Sequence, residues 1–260
     1  MSEEKKNQNS GSEKLETLMK IQKAPQMYSI VSGCTKMPYV ICDPDTFDDE
    51  VLLFFEQEDA QAEVKKLTDE KEPVNVMAIE NRLLLTFFSS LYTMGVNCVV
   101  TDKGTEQEQR FQIREIVHRP DDTKLPDGKV RVENPELHLT ALYLMQKTLR
   151  LRVRQNEEEV KELQEELMAH FGEGRYIVAF EADKGLPLLK DKNGDAYQPI
   201  FTDVMEFQRF NKEQKFKTAI IEASKLPQIL IAEAKGVVLN PFGVNLQLQM
   251  KRNPEGQPEE

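Results

Sequence analysis

Proton transfer near neutral pH most often uses histidine, and the chain has three: His118, His138 and His170. None lies beyond position 170, which argues against a Ser-His-Asp type triad in the last third of the chain. His170 ends a charged helical stretch, where an imidazole suits the helix dipole without any catalytic role. A thiol nucleophile needs a neighbouring base or cation, and Cys42 precedes Asp43 while Cys98 sits in Asn97-Cys98-Val99. Both suit buried strand positions. Cys34, in Ser32-Gly33-Cys34-Thr35-Lys36, has the more open surroundings and is the cysteine to test for reactivity.

Metal and phosphate chemistry fare no better. Asp191-Lys-Asn193-Gly-Asp195 begins like a calcium loop, but its glycine is misplaced and the twelfth residue is Thr202 where a glutamate is needed. A hairpin turn accounts for it. Asp43, Asp45, Asp48, Asp49 and Glu50 are dense enough for a divalent cation, yet Phe47 occupies a ligand position and a solvated acidic loop is the simpler reading. No G-x-x-x-x-G-K-[ST] or G-x-G-x-x-G loop occurs, and Arg150, Arg152 and Arg154 read as a solvated or salt-bridged face. No catalytic residue, metal ligand set or cofactor is therefore expected. A hydrolase or thiol enzyme is the least supported class, because no nucleophile-base pairing is visible.

The elements that would position any site have ample material. The chain has 260 residues, 39% of them hydrophobic, enough for two domains. A net charge of -11 makes nucleic acid or an anionic membrane a poor partner by default. The odd cysteine count suits a reducing compartment, and the polar first residues show no apolar core of a secretory signal, so a cytoplasmic location is expected. Leu83 to Thr101 carries no charge, but Thr86, Ser89, Ser90, Gly95 and Asn97 favour a buried helix and strand over a membrane span.

Residues 1–25 read as a disordered polar tail with a brief helix around Leu15, Leu18 and Met19. Tyr39 to Cys42 and Val51 to Phe55 form a predicted hairpin, followed by a helix over Gln57 to Leu67, a strand Val74 to Ile79, a helix Arg82 to Met94 and a strand Cys98 to Val100. Phe111, Ile113 and Ile116 extend as a further strand. Leu125 to Gly128 is a turn. Asn134 caps a helix with Pro135 at its first position, and Asn156 caps a second with the apolar stripe Val160, Leu163, Leu167 and Phe171. Between them, Leu149 to Arg154 is compatible with helix or strand. Strand Tyr176 to Phe180 precedes Leu186 to Leu189, which pairs across Asn193-Gly194 with Pro199 to Phe201. A helix Asp203 to Lys212, a strand Thr218 to Ile221, a strand Val237 to Leu239 and an alternating Asn245 to Leu248 complete the pattern. Residues 251–260 form a disordered tail.

The two halves share an order of elements. Tyr39-Val40-Ile41, Phe54-Phe55-Glu56, Val74-Asn75-Val76, Leu83-Leu84-Leu85 and Val99-Val100-Thr101-Asp102 answer to Tyr176-Ile177-Val178, Ile200-Phe201-Thr202-Asp203, Ala219-Ile220-Ile221, Ile229-Leu230-Ile231 and Val237-Val238-Leu239-Asn240. Duplication is the reading, though shared order does not require common descent. The second half, residues 175–250, resembles the SseB family through Pro199-Ile-Phe-Thr-Asp203, the helix bearing Phe207 and Phe210, and Gly236-Val-Val-Leu-Asn-Pro-Phe-Gly243 followed by Leu246 and Leu248. The resemblance implies an α/β domain of cytoplasmic bacterial proteins and supplies no catalytic residues.

The expected architecture is α/β, with α+β as the alternative. It comprises a divergent SseB-like domain over 37–118, a helical linker over 134–171 and an SseB-like domain over 175–250, each domain a mixed sheet flanked by helices. Two functions stand open. One is a non-catalytic interaction or regulatory protein with a protein partner or self-association. The other is a sensor of a small molecule, an amino acid or nucleotide, in the crevice beside Asn240-Pro241, since ligands of α/β sheets bind at strand C-terminal ends. Asn240, Phe242, Thr202 and Asp203 are the candidate contacts; of the turn, Asn240 and Phe242 are the side chains expected to be exposed, and bonding of Asn240 to its own turn is the plainer alternative.

Overall fold

The computed structural model describes residues 3–119, 130–148, 157–182 and 184–254, and the chain divides into two compact units. The first begins with helix α1 (Glu3–Lys23), then strands β1 (Gln26–Ser32), β2 (Val40–Cys42) and β3 (Asp49–Phe54), helix α2 (Gln57–Asp69), strand β4 (Val74–Glu80), helix α3 (Asn81–Thr93), strands β5 (Cys98–Thr101) and β6 (Gln109–Gln112), and the single turn α4 (Ile113–Ile116). Its strands run in the order β4-β1-β3-β5-β6, with β2 paired to β3. Only the β3–β5 pair in that described sheet is parallel, because the chain crosses over through α2, β4 and α3 between them. Val51, Leu52, Leu53 and Phe54 are all buried, as a continuous apolar run flanked on both faces must be. Leu52, Phe54, Ala60, Leu67 and Val100 share one core with Ile30; burying each such large side chain contributes about 2 kcal/mol.

The second unit holds helices α5 (Pro135–Thr148) and α6 (Glu157–Glu173), strands β7 (Arg175–Phe180), β8 (Leu189–Lys190) and β9 (Ala196–Phe201), helix α7 (Val204–Phe210), strand β10 (Lys217–Glu222), the short α8 (Leu226–Ile229), and strands β11 (Ala234–Leu239) and β12 (Leu246–Gln249). Strand order is β10-β7-β9-β11-β12, with β8 on β9 and a parallel β9–β11 pair. Strand for strand this is the topology of the first unit. Register shifts by one residue between Ala234 and Gly236, and a Cβ at Gly236 would lie 2.0 Å from the Leu248 carbonyl oxygen, so only glycine lets β12 approach there.

Both sheets and their helices make the fold α/β. The elements depart from the sequence expectation in five places; in one, Leu186 to Leu188 lie outside β8, which pairs through Leu189 and Lys190 with Tyr197 and Ala196 instead of Pro199 to Phe201. Residues 3–23 form a 21-residue helix where a polar tail was expected, with Ile21 buried and Lys20 lying over the Phe55 ring. β1, unrecognised in the sequence, sits between β3 and β4, so the first unit starts before residue 37. Its interrupted polar pattern, Tyr28-Ser29-Ile30-Val31-Ser32, hid it; Ser29 is buried because its hydroxyl donates to the Leu52 carbonyl. It is β1 that answers to β7, and Val40-Ile41 therefore answers to β8. Ile113 and Ile116 belong to a helical turn closed by Glu115 reaching back to the Gln112 amide.

The helices of 134–171 belong to the second unit instead of linking two others. Leu137, Ala141, Leu142 and Leu144 of α5 are buried, as are Leu167 and Phe171 of α6, and the two helices pack together with contacts that include Thr140 to Glu166 (3.1 Å) and Lys147 to Glu159 (2.7 Å). The expected turn at 125–128, the Leu149 to Arg154 ambiguity with its three arginines, the Asn156 cap and most of the 251–260 tail lie outside the described residues. Among the described residues no helix is long and apolar enough to cross a membrane.

Candidate functional site

β9 delivers Thr202 and Asp203 to the start of α7, beside the turn that follows β11. Asp203 caps α7: its Oδ1 accepts from the amides of Met205 (2.8 Å) and Glu206 (3.0 Å). Its Oδ2 accepts from the Thr202 hydroxyl at 2.7 Å and lies 3.7 Å from Nδ1 of His138 on α5. The Thr202 amide donates to Asn240 Oδ1 (3.0 Å), and Asn240 Nδ2 donates to the Thr202 hydroxyl (2.8 Å). Asn134 Nδ2 donates to the carbonyls of Thr202 and Arg175, both at 2.8 Å, joining the start of α5 to β7 and β9.

The side chains at the centre of this network are buried. Thr202, Asp203, His138 and Asn240 have no exposed surface. The residue types are those of a catalytic triad but the order is not: the Thr202 hydroxyl donates straight to Asp203, both groups face the same Nδ1 of His138, and the hydroxyl is enclosed on all sides. Burial alone would raise the Asp203 carboxyl; hydrogen bonding to and charge on His138, then the Thr202 hydroxyl and the Glu206 amide, outweigh it and hold the group below the usual carboxylate range. Glu206 goes the other way: burial raises it, and His138 and Arg209, the latter bonded at 2.8 Å, offset that only in part.

What the network does is fix a turn. Asn240 sits at φ 47°, in the left-handed region, and its amide donates to Ile200 across the parallel pair while its carbonyl accepts from Gly243 (2.8 Å) and Asn245 (2.9 Å). A Cβ at Gly243 would stand 2.5 Å from Glu206 Oε2, so any larger residue there requires the Glu206 carboxylate to shift. Phe242 is thereby carried to the crest with 62% of its surface exposed. Its ring is 6.0 Å from Phe210, which lies 5.2 Å from Phe201 and 5.1 Å from Phe216, an aromatic series running from core to surface. Two concavities flank it. One, of about 300 Å³, includes Arg209, Lys212, Phe210 and Phe216 in its wall; the other, of about 540 Å³, includes Lys190, Lys192, Tyr197 and Pro241.

The first unit anchors its turn in the same way with other side chains. Asp102 is also at φ 47°, its amide donates to Leu53, and its Oδ1 accepts from the Phe55 amide (3.0 Å), as Asn240 does with Ile200 and Thr202. At the crest stands Gly104, whose amide is bonded to Glu108 (2.8 Å), and Lys103 is drawn back to the buried Glu50 (3.5 Å).

Of the four candidate contacts, the structure thus brings Asn240, Thr202 and Asp203 together but encloses them; Asn240, expected to be exposed or to bond its own turn, instead bonds Thr202. Phe242 alone of the four is presented to solvent. His138 was not foreseen in this group, since 64 residues separate it from Thr202. Its one signal was a histidine set among Leu137, Ala141 and Leu142 on the apolar side of a helix. Cys34 has its thiol raised by burial and by the charge of Glu72, the reverse of activation, and burial pushes Cys98 up to about 12. The acidic loop is internally satisfied: Asp43 accepts from the Thr46 and Asp45 amides and pairs with Arg110, which also pairs with Glu50. Among the described residues no cluster suited to a metal ion occurs.

Comparison with known families bears on the unit that carries this turn. Residues 150–252 match the SseB protein N-terminal domain. The resemblance expected from the Phe-Thr-Asp and Leu-Asn-Pro-Phe-Gly segments is borne out, over less than half of the chain and starting upstream of β7. Among solved structures, Tic22 of Anabaena, described as a protein transport protein, is 11% identical over 79% of this chain and 82% of its own, with a TM-score of 0.22. Tic22 from Plasmodium falciparum is 13% identical over 86% of this chain and 90% of its own, also at 0.22. Superpositions that loose carry no argument. Comparison with curated proteins gives no match.

Proposed function

We propose that the chain is a non-catalytic interaction or regulatory protein, acting in the cytoplasm, that engages a protein partner through the Phe242 crest of the SseB-like unit. The observation that carries this reading is the large exposed aromatic held on a turn whose every anchor is buried: Asn240, Thr202 and Asp203 fix the backbone, and Gly243 leaves room for the Glu206 carboxylate. Aromatic side chains presented rigidly lose little conformational entropy on binding, and for that reason they dominate interface energetics. The enclosed His138-Asp203-Thr202 group supports a structural role over a catalytic one. Affinity capture from native lysate, followed by size-exclusion chromatography, tests the reading. A partner or self-association retained by the wild type and lost with Phe242→Ala is the expected result; equal retention by both, or a monomer with no partner at micromolar concentration, contradicts it.

A second reading rests on the concavity of about 540 Å³ between β8, β11 and the turn, which is of the size that small ligands occupy. There the protein would sense an amino acid or a nucleotide beside Pro241 and Asn245. A thermal-shift screen over both classes is expected to show a saturable rise in melting temperature if this holds, and no rise with any of them removes it.

A further inference from the structure

We infer that the occupant of the Phe242 crest is an acidic peptide segment of a partner protein carrying one aromatic or aliphatic anchor. This deepens, and rests on, the docking reading above. The chain is strongly acidic, at -11 overall, yet the two walls beside Phe242 present Lys190, Lys192 and Lys212, none of which is paired with a carboxylate among the described residues. The acids nearby are already engaged. Asp191 accepts from the amides of Asn193 and Asp195 in the β8–β9 turn, Asp195 pairs with Lys235 (2.7 Å), Glu206 pairs with Arg209, and Glu213 pairs with Lys215.

The apolar half of the match is equally local. Phe216 is held against Phe210 by Asn211, whose side chain donates to the Phe216 carbonyl (2.9 Å) and accepts from its amide (3.0 Å). The groove between Phe216, Phe210 and Phe242 is therefore preformed, which removes an ordering cost from binding. Its volume, about 300 Å³, admits one large apolar side chain, while the lysines on either flank meet carboxylates before and after it in sequence. The turn in the first unit has neither element: its crest is a glycine and its lysine is turned toward Glu50.

The test is fluorescence anisotropy on the full chain with three labelled twelve-residue peptides: one rich in Glu and Asp around a central Phe, the same with Ala for Phe, and the same with Lys for the acids. The acidic Phe peptide is expected to bind, about thirtyfold more weakly to Phe242→Ala, as is typical of an aromatic hot spot. It should weaken about tenfold with Lys190→Glu/Lys192→Glu/Lys212→Glu, and its affinity should fall as salt rises. Circular dichroism of both variants checks that they fold as the wild type does. Equal binding of the lysine peptide, or affinity for the acidic peptide unchanged by the lysine substitutions, overturns the inference. If a Phe242-dependent partner is captured from lysate and its binding segment maps to a neutral or basic peptide, the chemistry proposed here fails while the docking reading stands. If no Phe242-dependent partner exists, both fall.

Discussion

The turns after β5 and after β11 share the conformation and bonding of their first residue and differ at the crest. Asp102 and Asn240 both sit at φ 47°, both bridge to the strand beside them, and both accept from the amide two residues beyond the bonded carbonyl. The first ends in an exposed Gly104 at φ 81°; the second ends in Phe242. The fold therefore does not require an aromatic at this place, and the exposed ring is left to be explained by something other than folding. The anchors differ in the same sense. Asn240 makes two side-chain bonds to Thr202 and belongs to a network with His138 and Asp203, whereas Asp102 holds Phe55 alone.

That contrast yields a graded set of outcomes. Asn240→Ala leaves the buried Thr202 amide unsatisfied and places alanine at positive φ, and is expected to cost about 3 kcal/mol in urea unfolding, against about 1–2 for Asp102→Ala. Asn240→Gly keeps the backbone freedom and isolates the hydrogen-bond part. Hydrogen exchange at the Thr202 and Phe55 amides assigns each loss to its own unit; equal losses at the two turns would break the comparison. Gly243→Ala drives a methyl group against Glu206 Oε2 and is expected to cost about 2 kcal/mol, partly recovered by Glu206→Ser in the same chain. The matching position in the first unit is Thr105, which already carries a side chain.

A smaller effect is set by pH. The folded-state value of Glu206 is raised, so its contribution is fully present below the ordinary glutamate value of about 4.3 and is lost as pH rises through the folded value. Asp203 has the opposite sign: its value is lowered, so its contribution holds above the ordinary aspartate value of about 3.9 and is lost as pH falls through the folded one. Glu206→Gln should flatten the decline in thermal midpoint on the alkaline side of pH 4.3 and leave the acid limb in place; an unchanged alkaline slope would remove Glu206 as its source. Smallest in stability is Phe242→Ala, expected within about 0.5 kcal/mol of wild type, because the ring is mostly exposed.

Much of this arrangement was legible in the sequence. The Val-Val strands and the Asn-Gly hairpin follow from local pattern, and the parallel order of the two halves pairs Asp102 with Asn240. β1 was not legible because Ser29 and Ser32 break its apolar alternation, and their burial depends on strand partners far along the chain. Nor was the true counterpart of Tyr176 to Val178, since without β1 the nearest apolar run, Tyr39 to Ile41, took its place. The enclosure of Asn240 was hidden for a related reason: an asparagine in an Asn-Pro turn bonds its own backbone unless a distant acceptor and donor, here on Thr202, arrive at the right distance.

The most direct measurement places a photo-crosslinking phenylalanine analogue at position 242 in one chain and at Glu106, an exposed residue of the matching loop, in another. Irradiation in native cells is expected to give a discrete crosslinked product from position 242 and none from 106. Equal products from both positions, or none from either, would contradict the assignment of the crest as a docking surface.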